Sequence, residues 1–95
     1  MPTLEKPAGI TVERPTKKQL KELNVKTWPV WSKPPSQFPW EYVEKEMCYF
    51  VEGEAIVKTH EGEVCLKQGD FVTFPLGLKC VWTIKQAVRK HYFFD

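Results

Sequence analysis

From residue 26 onward the chain is cut into short apolar runs by turn-forming residues at near-regular spacing. That rhythm limits the fold to an all-β sandwich or barrel. The runs are 26–32, 38–43, 46–51, 55–60, 63–66, 71–74, 78–84 and 88–94. Between them stand Lys33-Pro34-Pro35-Ser36, Gly53, Glu61-Gly62 and Gln68-Gly69-Asp70. Glu61-Gly62 is a hairpin signal, and Gly53 ends its run. Pro29 makes the first run an edge strand or a bulge, because proline cannot donate to a ladder.

Ahead of residue 26 the pattern changes. Residues 1–9, with Pro2, Pro7 and Gly9, are expected to be loosely held, and 10–13 to form a short strand. Thr16-Lys17-Lys18-Gln19 follows Pro15 with capping-box spacing, which predicts one helix over 16–23. A helix that short cannot stand alone, so Leu20 and Leu23 are expected to dock on the barrel. With 95 residues the chain is expected to be one domain, 1–95, with its barrel core at about 26–94.

Thirteen aromatics (four Trp, three Tyr, six Phe) supply the apolar bulk for one core. A net charge of +2 with 27% charged residues does not suit a nucleic-acid face, which needs clustered Lys and Arg. Lys17, Lys18 and Lys21 are expected on a solvated helix face. No apolar run approaches the ~20 residues of a membrane span, and residues 1–15 hold no segment like a signal peptide. Cys48, Cys65 and Cys80 form no CxxC spacing, and an odd count fits free thiols. The expected localisation is cytoplasmic.

Two spacings carry more than fold class. Glu46 is followed by six residues and Gly53, and Gly69, Pro75 and Gly77 stand at the offsets G(X)5PXG. Together they resemble the cupin motifs G(X)5HXH(X)3–4E(X)6G and G(X)5PXG(X)2H(X)3N over residues 38–84. Trp40 and Tyr42 then occupy the two histidine positions of the first motif. Cys80 occupies the histidine position of the second, and Ile84 the asparagine position. Trp28-Pro29-Val30-Trp31, Trp40-Glu41-Tyr42, Cys48-Tyr49-Phe50-Val51-Glu52-Gly53 and Val88-Arg89-Lys90-His91-Tyr92 resemble a narrower group. This is the small single-domain branch of the ureidoglycine aminohydrolase cupin-domain family. The resemblance implies an RmlC-like jelly-roll barrel. The family's namesake acts in purine-ureide breakdown with a divalent metal, typically manganese, held by histidines and a carboxylate. Only Glu46 matches such a ligand position.

Side chains alternate across a strand. If the motif register holds, Trp40 and Tyr42, then Glu46 and Cys48, then Cys80, Trp82 and Ile84 point into the barrel. An indole cannot ligate, and Mn²⁺ or Fe²⁺ prefers imidazole and carboxylate. The expectation is therefore no metal and no cofactor. A soft-metal site from Cys48, Cys80, Glu46 and His91 matches no zinc spacing.

Trp40 and Trp82 are core filler first and walls for a planar ligand second. Cys48 and Cys80 read as small buried hydrophobes that also line the site. Glu46 is either a general acid or base with a raised pKa, or a structural partner of Tyr42, Arg89 or Lys90. Tyr42 would be its hydrogen-bonding companion. Whether Lys90 or His91 faces inward is open, and both are ligand-binding candidates. His60, beside the hairpin turn, is expected to be exposed.

The expected function is binding of a small polar metabolite in the barrel. The alternatives are a hydrolase of ureides or related nitrogen metabolites, and a filled-barrel interaction module without enzymatic activity. The expected partner is a small molecule, with no nucleic acid and no membrane, and a homodimer is left open.

Overall fold

The computed structural model describes residues 3–95. Their order is β1 (Thr3–Glu5), β2 (Thr11–Glu13), α1 (Lys17–Glu22), β3 (Val30–Lys33) and β4 (Ser36–Glu41). There follow β5 (Glu46–Thr59), β6 (Gly62–Lys67), β7 (Phe71–Phe74) and β8 (Lys79–Phe94). Every ladder is antiparallel. The strand path runs β1-β2-β7-β5-β8-β3, with β6 beside β5 and β4 beside β8, and does not close into a ring.

Two long strands organise this all-β jelly roll. The start of β5 lies between β7 and the end of β8, and the end of β5 lies between β6 and the start of β8. The early half of β8 carries β4 and the late half carries β3. Each long strand thus serves two half-sheets. The half-sheets meet over an apolar interior, where Phe74 of β7 lies 5.5 Å from Trp82 of β8. Phe50, Val57, Val64, Leu66, Val72 and Phe74 are all within 2% of full burial there. Each such side chain contributes about 1.5–3 kcal/mol.

The two expected strands at 46–51 and 55–60 are one, and Gly53 does not end it. Gly53 adopts φ +97°, and the β5–β8 register slips between Phe50 and Ala55. A Cβ at Gly53 would sit 2.3 Å from the Ala87 carbonyl oxygen. The glycine therefore makes a bulge where two backbones touch. The bulge also flips the buried parity, from 46, 48 and 50 to 55, 57 and 59. The runs 78–84 and 88–94 likewise merge into β8.

The N-terminal stretch is better ordered than expected. β1 pairs with β2, and β2 with β7; the part of that expectation on residues 1–2 lies outside the described residues. The helix forms with its capping box, Thr16 and Gln19 each accepting from the other's backbone N–H. Its docking differs. Leu20 is half-buried and Leu23 is 39% exposed, and the anchor is Val25, buried in the turn that follows. Six residues are too few to present a full apolar stripe. Among the described residues no helix is long and apolar enough to cross a membrane.

Candidate functional site

The site starts from cross-strand pairs. On β8, Trp82 pairs with Phe38 of β4 and Val57 of β5, and Lys90 pairs with Trp31 of β3 and Phe50 of β5. In β8, Cys80, Trp82, Ile84, Val88 and Lys90 are buried, Lys90 at 5% exposure. His91 points to the other side, with Nδ1 3.1 Å from the Trp28 carbonyl oxygen. Arg89 also faces outward and pairs with Glu52. Lys90, rather than His91 or Arg89, is the cation of the interior.

Glu46 opens β5 and is 3% exposed. Its Oε2 accepts from Lys90 Nζ at 2.9 Å and its Oε1 accepts from the Tyr42 hydroxyl at 2.7 Å. Tyr42 is held by a turn. Its N–H donates to Leu78 O at 2.8 Å, and the N–H of Gly77 donates to Tyr42 O at 2.7 Å. Gly77 takes φ +87°, which glycine adopts without steric cost. The Pro75–Gly77 spacing therefore places the phenol, whose ring stacks on Phe74 at 4.9 Å.

Aromatic rings complete the shell. Lys90 Nζ lies 4.9 Å from the Trp31 ring centroid and 4.7 Å from that of Trp82, both within cation–π reach. Phe38 stacks on Trp82 at 6.2 Å and 9°. A cavity of about 150 Å³ lies over this floor, lined by Glu46, Tyr42, Lys90, Trp82, Trp31 and Phe38. Trp40, Tyr92 and Phe94 form the rest of its wall. The indole N–H of Trp82 is buried without a hydrogen-bond partner.

Burial sets the acidities. The Tyr42 phenol is held far above its usual range, first by desolvation and then by the Glu46 carboxylate beside it. Desolvation pushes the Cys48 thiol up to about 12 against the pull of Lys90. It pushes Cys80 up to about 11, and Trp82 draws that thiol part of the way back. Neither thiol is a nucleophile near neutral pH.

Of the sequence candidates, Glu46, Tyr42, Trp82, Lys90 and Trp40 come together at the cavity. Trp40 corrects its expectation in one respect. It is 48% exposed and stands at the rim, edge-on to Tyr42, instead of inside. Cys48 and Cys80 are buried but do not line the cavity, and neither does His91. Cys80 Sγ contacts the Trp40 carbonyl oxygen at 3.7 Å. Trp31, Phe38, Tyr92 and Phe94 were not anticipated. Phe38 shares the parity of Trp40 and Tyr42, and Tyr92 that of Trp82 and Lys90, so a signal for both was present.

The divalent metal implied by the resemblance does not fit these residues. Among the described residues no group of three His, Cys, Asp or Glu side chains is placed to hold a metal ion. Both oxygens of the one carboxylate at the cavity are engaged.

Comparison with known proteins agrees with this architecture. Residues 20–92 match the model of the EutQ-like cupin domain. A DUF861 family protein from Thermotoga maritima is 45% identical, with a TM-score of 0.88 over 90% of this chain and 99% of its own. The EutQ protein of Clostridium difficile is 17% identical, with a TM-score of 0.65 over 90% of this chain and 68% of its own. A cupin domain from Bordetella pertussis is 14% identical, with a TM-score of 0.54 over 98% and 93%. The last two share the fold alone. The search of curated proteins gives no match. The family match spans most of the chain, and the chain belongs to the EutQ-like cupin domain family.

Proposed function

We propose that this cupin binds a small polar metabolite in the cavity between Trp31, Trp40, Trp82 and the Glu46–Lys90 pair. The observation that supports the reading is a cavity of about 150 Å³ set over a buried ion pair and walled by aromatics. Concave apolar pockets with a few convergent polar groups are the usual form of a small-molecule site. A barrel packed solid by its own aromatics would leave no such space, so the cavity also weighs against the filled-barrel reading.

Glu46 is spoken for by Lys90 and Tyr42 in the free protein. Acting as a base would require a ligand to loosen one of those contacts, so binding is the function this geometry supports best. A thermal-shift screen across metabolite classes is the test, because a ligand of the native state raises the melting temperature. The expected hit stabilises wild type and Cys65→Ser, and loses its effect in the double variant Glu46→Gln/Lys90→Met. A shift that survives in the double variant would move the site elsewhere. No hit in any class would favour the filled barrel.

A further inference from the structure

The wall of the cavity fixes the charge its occupant can carry. Among the described residues that line it, Glu46 and Lys90 carry opposite charges 2.9 Å apart, and no other is Asp, Glu, Lys, Arg or His. The Lys90 charge is enclosed. Glu46 accepts from Nζ, and the Trp31 and Trp82 ring centroids lie 4.9 and 4.7 Å from it. A second ammonium would be repelled by Lys90, and an anion would meet the Glu46 carboxylate. Neither ion finds a free countercharge, and burying an unpaired charge is costly. A fitting occupant is neutral.

The polar end of the cavity is one-sided in its hydrogen bonding. Tyr42 donates its hydroxyl hydrogen to Glu46 Oε1 at 2.7 Å, and burial keeps that hydrogen in place. Lys90 donates to Oε2. A carboxylate offers more lone pairs than these two bonds use, and the Tyr42 oxygen can still accept. Glu46 and Tyr42 therefore present acceptors, and the occupant brings a donor. An O–H donor makes a short, charge-assisted bond to a carboxylate. The rest of the wall is the rings of Trp31, Phe38, Trp40, Trp82, Tyr92 and Phe94. Such rings reward a flat aromatic partner beyond the area it buries. A cavity of about 150 Å³ accepts a ring the size of benzene.

Resting on the pocket reading above, we infer that the ligand class is a phenol, a neutral benzene-sized ring with one hydroxyl. The fold already holds one phenol in this manner. The Tyr42 ring stacks on Phe74 at 4.9 Å and its hydroxyl rests on Glu46. The ligand repeats that contact from the cavity side, its O–H donating to Glu46 and its ring lying against the aromatic wall.

The test is a calorimetric titration of the full chain with phenol and size-matched probes: toluene, cyclohexanol, cyclohexylammonium and cyclobutanecarboxylate. Toluene lacks the hydroxyl, cyclohexanol lacks the flat ring, and the two ions carry charge. NMR of wild type records whether each bound probe contacts the Trp31 and Trp82 indoles. Phenol is expected to contact both and to bind about tenfold tighter than toluene or either ion. It is expected to bind about fivefold tighter than cyclohexanol. In Glu46→Gln/Lys90→Met the advantage of phenol over toluene is expected to fall below about threefold, and its survival at tenfold would overturn the inference. Should that variant fail to fold, the wild-type series decides alone. Toluene, cyclohexanol or an ion that binds as tightly as phenol against these indoles overturns the ligand class and leaves the pocket reading standing. Phenol bound away from Trp31 and Trp82, or no probe bound at millimolar concentration, overturns it as well, and the metabolite screen then decides the pocket reading.

Discussion

Lys90 meets the requirements of a buried cation within one shell. It has a carboxylate at 2.9 Å and two indole faces within 5 Å. A buried pair is worth most when one partner is removed, because the other is left charged and unpaired. Glu46→Gln and Lys90→Met are each expected to cost about 3–5 kcal/mol, and the double variant far less than their sum. Denaturant unfolding of all four proteins tests this, and additive losses would mean that the two side chains do not depend on each other. Cys48 gives a second test at this scale. Its thiol pKa moves from 9.0 to about 12 on folding. Below pH 9 the thiol is neutral in both states, so its burial contributes fully. Between pH 9 and pH 12 the unfolded chain gives up the proton while the folded one keeps it, and stability falls. The slope is about 1.4 kcal/mol per pH unit for one thiol. Cys48→Ala should show a shallower alkaline decline than wild type, and parallel curves would count against the buried thiol.

At the scale of elements, two glycines with similar φ do different work. Gly77, at φ +87°, has no heavy atom within 4 Å of a Cβ position, so Gly77→Ala meets backbone strain alone, about 1 kcal/mol. Gly53, at φ +97°, would set a Cβ against the backbone of Ala87 and Val88. Gly53→Ala is expected to cost about 3 kcal/mol or more, because strain and clash add. Equal melting temperatures for the two variants would refute the bulge. The same pair marks what local pattern could convey. The Gly69, Pro75 and Gly77 offsets were legible because a tight turn demands particular residues at particular places. The bulge at Gly53 was not, since a glycine in an apolar run looks the same whether the strand stops or kinks. The capping box was legible for the reason the turns were. The position of Leu23 was not, because docking depends on where the next turn carries the chain.

For the whole molecule, the all-β jelly roll followed from turn rhythm and motif spacing, and strand alternation put Cys80, Trp82 and Ile84 on one face. The choice between Lys90 and His91 needed the β5–β8 register, a contact between residues some forty positions apart. Trp31 at the cavity needed the β3–β8 pairing in the same way. Among the described residues no cluster is placed to ligate an ion, so metal should play no part in the native state. Elemental analysis of tag-free protein is expected to find no stoichiometric Mn, Fe, Ni or Zn, and chelator treatment to leave the melting temperature unchanged. One equivalent of metal bound through Glu46 would contradict this.

The central claim is that the Lys90 ammonium, held by Glu46 between Trp31 and Trp82, is the fixed cation of the cupin interior. Lys90→Ala removes the outer part of that side chain, which propylammonium matches atom for atom. The most direct measurement is the melting temperature of Lys90→Ala with increasing propylammonium, against wild type in the same salt. The account predicts a saturable rise in the variant and none in wild type, because only the variant has an empty cage beside an unpaired carboxylate. The same response in both proteins, or none in either, would contradict it.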